Sequence, residues 1–127
     1  MTGRLAGKVA VVTGAGSRGE GIGNGKAASV LFAREGASVI CADQVASRAE
    51  ETVEMITSEG GSASVFACDV SHREGCQALA AAAVERYGHI DILQNNVGIP
   101  SFQSLEEITE EAWDNVMGVN VRSMVLM

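Results

Sequence analysis

Lys8-Val-Ala-Val-Val-Thr-Gly-Ala-Gly-Ser-Arg-Gly-Glu-Gly-Ile-Gly-Asn-Gly25 is the stretch whose reading decides the fold. Lys8 to Thr13 is a short apolar, β-branched run ending at glycine, the pattern of a strand buried on both faces. Six glycines then fall within the twelve residues Gly14–Gly25. Between a strand and a helix, such a loop lets the backbone approach a ligand closely and take positive φ. The following helix N-terminus adds free N–H groups and partial positive charge, so the whole suits a diphosphate. With no ligand, that many glycines would cost conformational entropy without return. Read literally, Gly14-Ala-Gly16-Ser-Arg-Gly19 is a GxGxxG. Its place after a strand and before a helix is the context such a string needs.

The alternation repeats along the chain. Ile22, Ala27, Val30 and Leu31 predict a helix from about Ile22 to Glu35, with Gly36 at its C-terminal cap. Ala37–Ala42 is a second strand. Ala46, Ala49, Val53 and Ile56 share a helical stripe, Ser47 with Glu50 forms a candidate capping box, and Gly60-Gly61 ends that helix. Ser62–Ala67 is a third strand, Ser71-x-x-Glu74 opens a helix to about Tyr87, and Ile90–Gln94 is a fourth strand. A loop with the only proline, Pro100, leads to a last helix from about Thr109. Strands alternating with helices of this length predict right-handed βαβ units. The fold expected is α/β, a Rossmann-like doubly wound parallel sheet truncated after the fourth strand and following helix, as one domain over residues 1–127, with the order 3-2-1-4 that is usual for such a fold.

Composition narrows the function classes. With 46% hydrophobic and 20% charged residues the chain is globular, and its apolar runs are too short to span a bilayer. A net charge of −7 argues against nucleic acid or an anionic membrane as partner. The start, MTGRLAGKVAVVTGAG, lacks the long apolar core of a secretion signal. Three cysteines (Cys41, Cys68, Cys76) in odd number and without CxxC read as reduced thiols, so a cytoplasmic location is expected.

Asp43, at the end of the second strand, is placed to accept from both hydroxyls of an adenosine ribose; the plain alternative is a solvated helix-starting Asp. Facing the ribose, it would repel a 2′-phosphate by up to ~4 kcal/mol at 4 Å and an effective dielectric of ~20, which favours NAD over NADP. Arg18 and Arg48 oppose that preference. Asp69 either accepts from the adenine amino group or caps the next helix. His72 and His89 have no partners at metal-ligand spacing, and Glu106, Glu107, Glu110 and Glu111 suit a helix start, so no metal site is expected. Trp113, Met117, Asn120 and Met124 fall on one stripe of the last helix; an amide inside an apolar face should be hydrogen-bonded.

Val12-Thr-Gly14, Asp43, Cys68-Asp-Val70, Asn95-Asn-Val-Gly98 and Asn120 in Val119-Asn-Val121, in this order, resemble the N-terminal half of a short-chain dehydrogenase/reductase, over almost the whole chain. The resemblance implies an NAD(P)-dependent oxidoreductase acting on a small alcohol or carbonyl, homo-oligomeric in its full-length form. It implies cofactor contacts from the glycine loop at Gly14, Ser17, Gly21, Ile22 and Gly23. Further contacts are implied at Asp43, Asp69 and Val70, and at Asn95, Asn96 and Gly98. Asn120 matches the family's catalytic asparagine, which holds a water in a proton relay. Two departures stand out. The family's TGxxxGxG aligns to Gly14, Gly21 and Gly23 only with Arg18-Gly-Glu20 as an insertion, and Val97 replaces the usual alanine. The family's serine, tyrosine and lysine follow the asparagine and are not among these residues; the only tyrosine, Tyr87, has no lysine four residues on. The chain therefore reads as a cofactor-binding half without its proton-transfer group. The alternatives are a non-catalytic nucleotide-binding fragment and an S-adenosylmethionine-dependent methyltransferase, for which an acidic residue would be expected near Thr13.

Overall fold

The computed structural model describes residues 3–127. Strands β1 (Val9–Thr13), β2 (Ser38–Asp43), β3 (Ser62–Ala67) and β4 (Ile92–Gln94) form one parallel sheet in the order β3-β2-β1-β4. Helices α1 (Asn24–Arg34), α2 (Ala46–Ser58) and α3 (Arg73–Tyr87) connect them. After β4 come α4 (Glu110–Met117), a π-helical turn (Gly118–Arg122) and α5 (Ser123–Leu126).

Alternation along β1 and β2 builds two cores. Ala10, Val12, Val39 and Cys41 face α1 and α2, where they meet Val30, Ala33, Ala49 and Ile56. Val11, Ile40 and Ala42 face the other way, onto Cys76, Leu79 and Ala83 of α3, with Leu126 packed alongside. Both faces of the central strands are therefore covered, and this is why they read as unbroken apolar runs. The doubly wound architecture expected from the sequence is the one observed.

Local details differ from the sequence reading. α1 starts at Asn24, not Ile22; Ile22 is 60% exposed and Leu31 also faces solvent, because the buried stripe is Gly25, Ser29, Val30 and Ala33. The Ser47–Glu50 capping box does not form: Val45 is the N-cap residue, and Ser47 lies inside α2. Asp43 replaces it, accepting from the Val45 N–H at 2.9 Å. At α3 the N-cap is His72, and the Ser71 hydroxyl turns back to donate to Asp69. β4 has three residues rather than five, with Ile90 and Asp91 outside it. The last helix is not one α-helix. An extra residue per turn in Gly118–Arg122 rotates the succeeding α5 by about 100° relative to an unbroken helix. The expected stripe is thus broken, and Trp113 and Met124 are 54% and 49% exposed.

At the N-terminal ends of β1 and β4, Asp91 accepts from the Val9 N–H at 2.8 Å and lies 2.8 Å from His89 Nε2 and 3.5 Å from Lys8 Nζ. The Val9 N–H above all, with His89 and Lys8 adding, holds its carboxyl below the usual range. Ser71 does the same to Asp69, helped by His72. A depressed folded value means stability that is complete above the unfolded carboxylate pKa, about 3.9, and lost as pH falls through the folded one. The denaturant midpoint should therefore be level from pH 5 to 7 and fall below about pH 4. Asp91→Asn should make that acid-side fall shallower; an unchanged slope would remove Asp91 from the account.

Candidate cofactor site

Three segments meet at the C-terminal end of β1: the glycine loop, the end of β2, and the residues after β4. Thr13 stitches the first to the last, its hydroxyl donating to the Gln94 carbonyl at 3.3 Å and accepting the Asn96 N–H at 3.1 Å. The Asn96 side chain donates to the Gly14 carbonyl at 3.0 Å. Gly14 has φ +62°, a conformation that L side chains rarely adopt. Gly25, in the first turn of α1, packs directly on it: a Cβ there would overlap the Gly14 carbonyl oxygen and sit 2.6 Å from Asn96 Nδ2.

These contacts leave an open groove of about 320 Å³. One wall is the glycine loop with Gly14, Gly16, Ser17 and Arg18, running into Gly23, Asn24 and Gly25 at the start of α1. Asp43, Gln44 and Arg48 close one end, and Asn96, Val97 and Gly98 form the other wall. α1 has no side-chain cap and no acid in its first turn, so its N-terminal N–H groups are open to an anion. Asp43 spends one oxygen on the Gly16 N–H (3.1 Å) and the other on Val45. A carboxylate has about four acceptor sites, so both oxygens keep capacity for hydroxyl donors. A small annex of about 40 Å³ beside the groove is lined by Asp43, Cys68, Asp69, Val70 and Val97.

A switch from loop to helix at the C-terminal end of a parallel sheet, an uncapped helix start and a strand-end carboxylate fit a dinucleotide's diphosphate and ribose. Residues 8–127 match the sequence pattern of the short chain dehydrogenase family. The chain belongs to the short-chain dehydrogenase/reductase family. It is 41% identical over 121 residues to an uncharacterized oxidoreductase of Thermotoga maritima, covering 95% of this chain and 45% of that protein. The D-threitol dehydrogenase of Mycolicibacterium smegmatis is 36% identical over 124 residues, 98% of this chain and 46% of its own length. Among solved structures, the hydroxysteroid dehydrogenase of Escherichia coli superposes with a TM-score of 0.89 at 34% identity, over 97% of this chain and 50% of that one. The chain spans about half the length of the curated relatives it matches.

Within this short-chain dehydrogenase/reductase chain, six of the residues expected from the sequence line the groove: Gly14, Ser17, Gly23, Asp43, Asn96 and Gly98. Asp69 and Val70 line the annex. Gly21, Ile22 and Asn95 are not part of either lining. The packing separates the roles of the loop glycines. Gly21 is in open space and Gly23 is the N-cap, whereas the glycine that lets α1 approach β1 is Gly25. Gly16 is tight too, since a Cβ there would overlap Arg48. Asp69 does not cap α3, whose N-cap is His72; it closes the turn before the helix, accepting from the Ser71 N–H (2.9 Å) and hydroxyl (2.6 Å), and lines the annex. Asn120 is outside the groove lining. Its Oδ1 accepts the Ile99 N–H at 2.7 Å and its Nδ2 donates to the Ile99 carbonyl at 2.9 Å.

Other reactive side chains are otherwise occupied. Burial pushes the Cys41 and Cys68 thiols up to about 11, so neither is a ready thiolate. Cys68 is part-buried, packed against the core that Cys76 and Leu79 share. The Tyr87 hydroxyl donates to Ser64 on β3, away from the groove lining. Among the described residues no group of three His, Cys, Asp or Glu side chains is placed to hold a metal ion. None of the described helices is long and apolar enough to cross a membrane.

Proposed function

We propose that this chain is the dinucleotide-binding half of an NAD(P)-dependent oxidoreductase that interconverts a small alcohol and its carbonyl, with NAD preferred over NADP. The observation that carries this reading is the groove itself: Gly25 seated on Gly14 brings the uncapped start of α1 beside Asp43. The bound nicotinamide would supply hydride transfer. The chain's own part is binding and orientation. The α1 N–H groups take the diphosphate, Asp43 takes the ribose hydroxyls, and Asn96 fixes the opposite wall through its bond to the Gly14 carbonyl. The proton must be moved by groups outside these 127 residues, because the one tyrosine is held on β3. A cytoplasmic, homo-oligomeric full-length enzyme remains part of the proposal.

Titration with NADH and NADPH, followed by fluorescence, tests the reading. Wild type should favour NADH by at least about tenfold, since Asp43 and a 2′-phosphate would be like charges at close range. Asp43→Ala should bring the two affinities within about threefold. That variant also frees the Gly16 and Val45 N–H groups, so it should melt earlier than wild type. An NADPH preference in wild type, or an unchanged ratio in the variant, would refute the ribose assignment. Absence of any binding by either cofactor would remove the dinucleotide reading itself.

A further inference from the structure

The insertion at Arg18-Gly-Glu20 has no part in the dinucleotide contacts assigned so far, yet it is a built feature. The Gly23 N–H donates to Ser17 Oγ at 2.9 Å, which clips the two ends of the inserted segment together. From this closed loop Arg18 reaches across the groove, and its Nη2 donates to the Gly98 carbonyl, 80 residues away in sequence, at 3.4 Å. Both residues line the same groove. Among the described residues Arg18 has no carboxylate within ion-pair distance, unlike Arg4 and Arg34, which pair with Glu35 and Glu59. Glu20, its neighbour on the insertion, is exposed and lines no part of the groove.

The charge balance of the groove runs against that of the chain. Acidic residues outnumber basic ones 16 to 9 overall, whereas the groove lining holds two arginines, Arg18 and Arg48, and one carboxylate. That carboxylate, Asp43, already accepts two backbone N–H groups. Added to the uncapped start of α1, the surplus positive charge calls for an anion. Arg48, in the first turn of α2, lines the groove with Asp43 and Gln44 from the end of β2, while Arg18 hangs from the loop that leads into α1.

We propose that Arg18 is a diphosphate-binding residue of this site, parked on the Gly98 carbonyl as a strap across the groove until the diphosphate takes its guanidinium. The proposal rests on the dinucleotide reading. The exchange is favoured because 3.4 Å to a neutral carbonyl is beyond the ordinary N–H···O range, and phosphate oxygens offer a guanidinium two short, charge-assisted bonds.

The test compares adenosine, ADP and NADH binding, and competition by inorganic pyrophosphate, for wild type, Arg18→Gln and Arg18→Lys. Arg18→Gln should weaken ADP and NADH about tenfold, or 1.4 kcal/mol, and blunt pyrophosphate competition, with adenosine unchanged within twofold. Arg18→Lys should recover part of the loss, having the charge without the fork. Equal ADP affinity in wild type and Arg18→Gln, or an adenosine loss as large as the ADP loss, would overturn the proposal. If wild type binds pyrophosphate but neither ADP nor NADH, the dinucleotide reading fails first and this assignment falls with it.

Discussion

Gly25→Ala should abolish both cooperative unfolding and NADH binding, while Gly19→Ala, six residues earlier in the same glycine-rich loop, should leave both unchanged. The contrast comes from the surroundings each new methyl would meet. At Gly19 nothing lies within 4 Å. At Gly25 the methyl would overlap the Gly14 carbonyl oxygen and press on Asn96 Nδ2, itself donating to that same oxygen. No flexible side chain can move aside, because the obstacles are a strand-end backbone and an amide already committed to it. Relief requires α1 to move off β1, and that pulls Val30 and Ala33 from Ala10 and Val12. Ordinary overpacking costs about 1–3 kcal/mol; a clash with backbone should cost more, against a total stability of about 5–15 kcal/mol. The expected readout is a broad, non-cooperative urea transition for Gly25→Ala and wild-type midpoints for Gly19→Ala. A cooperative Gly25→Ala variant with wild-type NADH affinity would show that α1 does not need its close seat on β1.

That glycine marks where the sequence stopped being readable. The strand-helix alternation was legible because it rests on a long-range pattern of apolar runs, helical stripes and glycines at helix ends, whereas the strand order came only as the usual one of the fold that this alternation implies. Which of six glycines takes the tight contact depends on where one missing Cβ would sit against one carbonyl, and a string of glycines is silent on that. A signal existed nonetheless. Gly25, Ser29 and Ala33 recur at four-residue intervals, so extending the buried stripe of α1 backward arrives at Gly25 rather than at Gly23. Counting glycines forward from Thr13, as a motif invites, misses it. Asp43 was legible as a strand-end carboxylate, but not its bonds to Gly16 and Val45, because backbone partners leave no trace in side-chain identity. The break in the last helix was hidden for a related reason. Trp113, Met117, Asn120 and Met124 are spaced by four, three and four, which an α-helix satisfies, so their spacing carries no sign of the π turn at Gly118–Arg122.

Asn120 sits inside that π turn, and its replacement is the second large effect expected. Its amide makes a reciprocal pair of bonds with the backbone of Ile99, accepting the N–H and donating to the carbonyl. Ile99 comes directly after Gly98, whose carbonyl faces Arg18 across the groove, so one side chain on the turn fixes the wall that begins at Asn96. Leucine has nearly the same shape and neither polar function. Asn120→Leu would leave a half-buried N–H and C=O unpaired, at about 1–3 kcal/mol each, and should lower stability by roughly 2–4 kcal/mol. Asn120→Asp separates the two bonds. A carboxylate still accepts from the Ile99 N–H but faces the Ile99 carbonyl with nothing to donate, so this variant should recover stability as the pH is lowered and the side chain is protonated. The family resemblance assigns Asn120 to a proton relay, and the two roles predict different readouts. A positioning residue weakens NADH binding and stability together, with Asn120→Asp partly restored at low pH. A relay residue leaves NADH affinity intact in Asn120→Leu and lowers only turnover in the full-length enzyme. Each polar atom of the amide makes its bond to the Ile99 backbone, so the first pattern is the one expected, and NADH titrations with melting curves on the two variants decide between them.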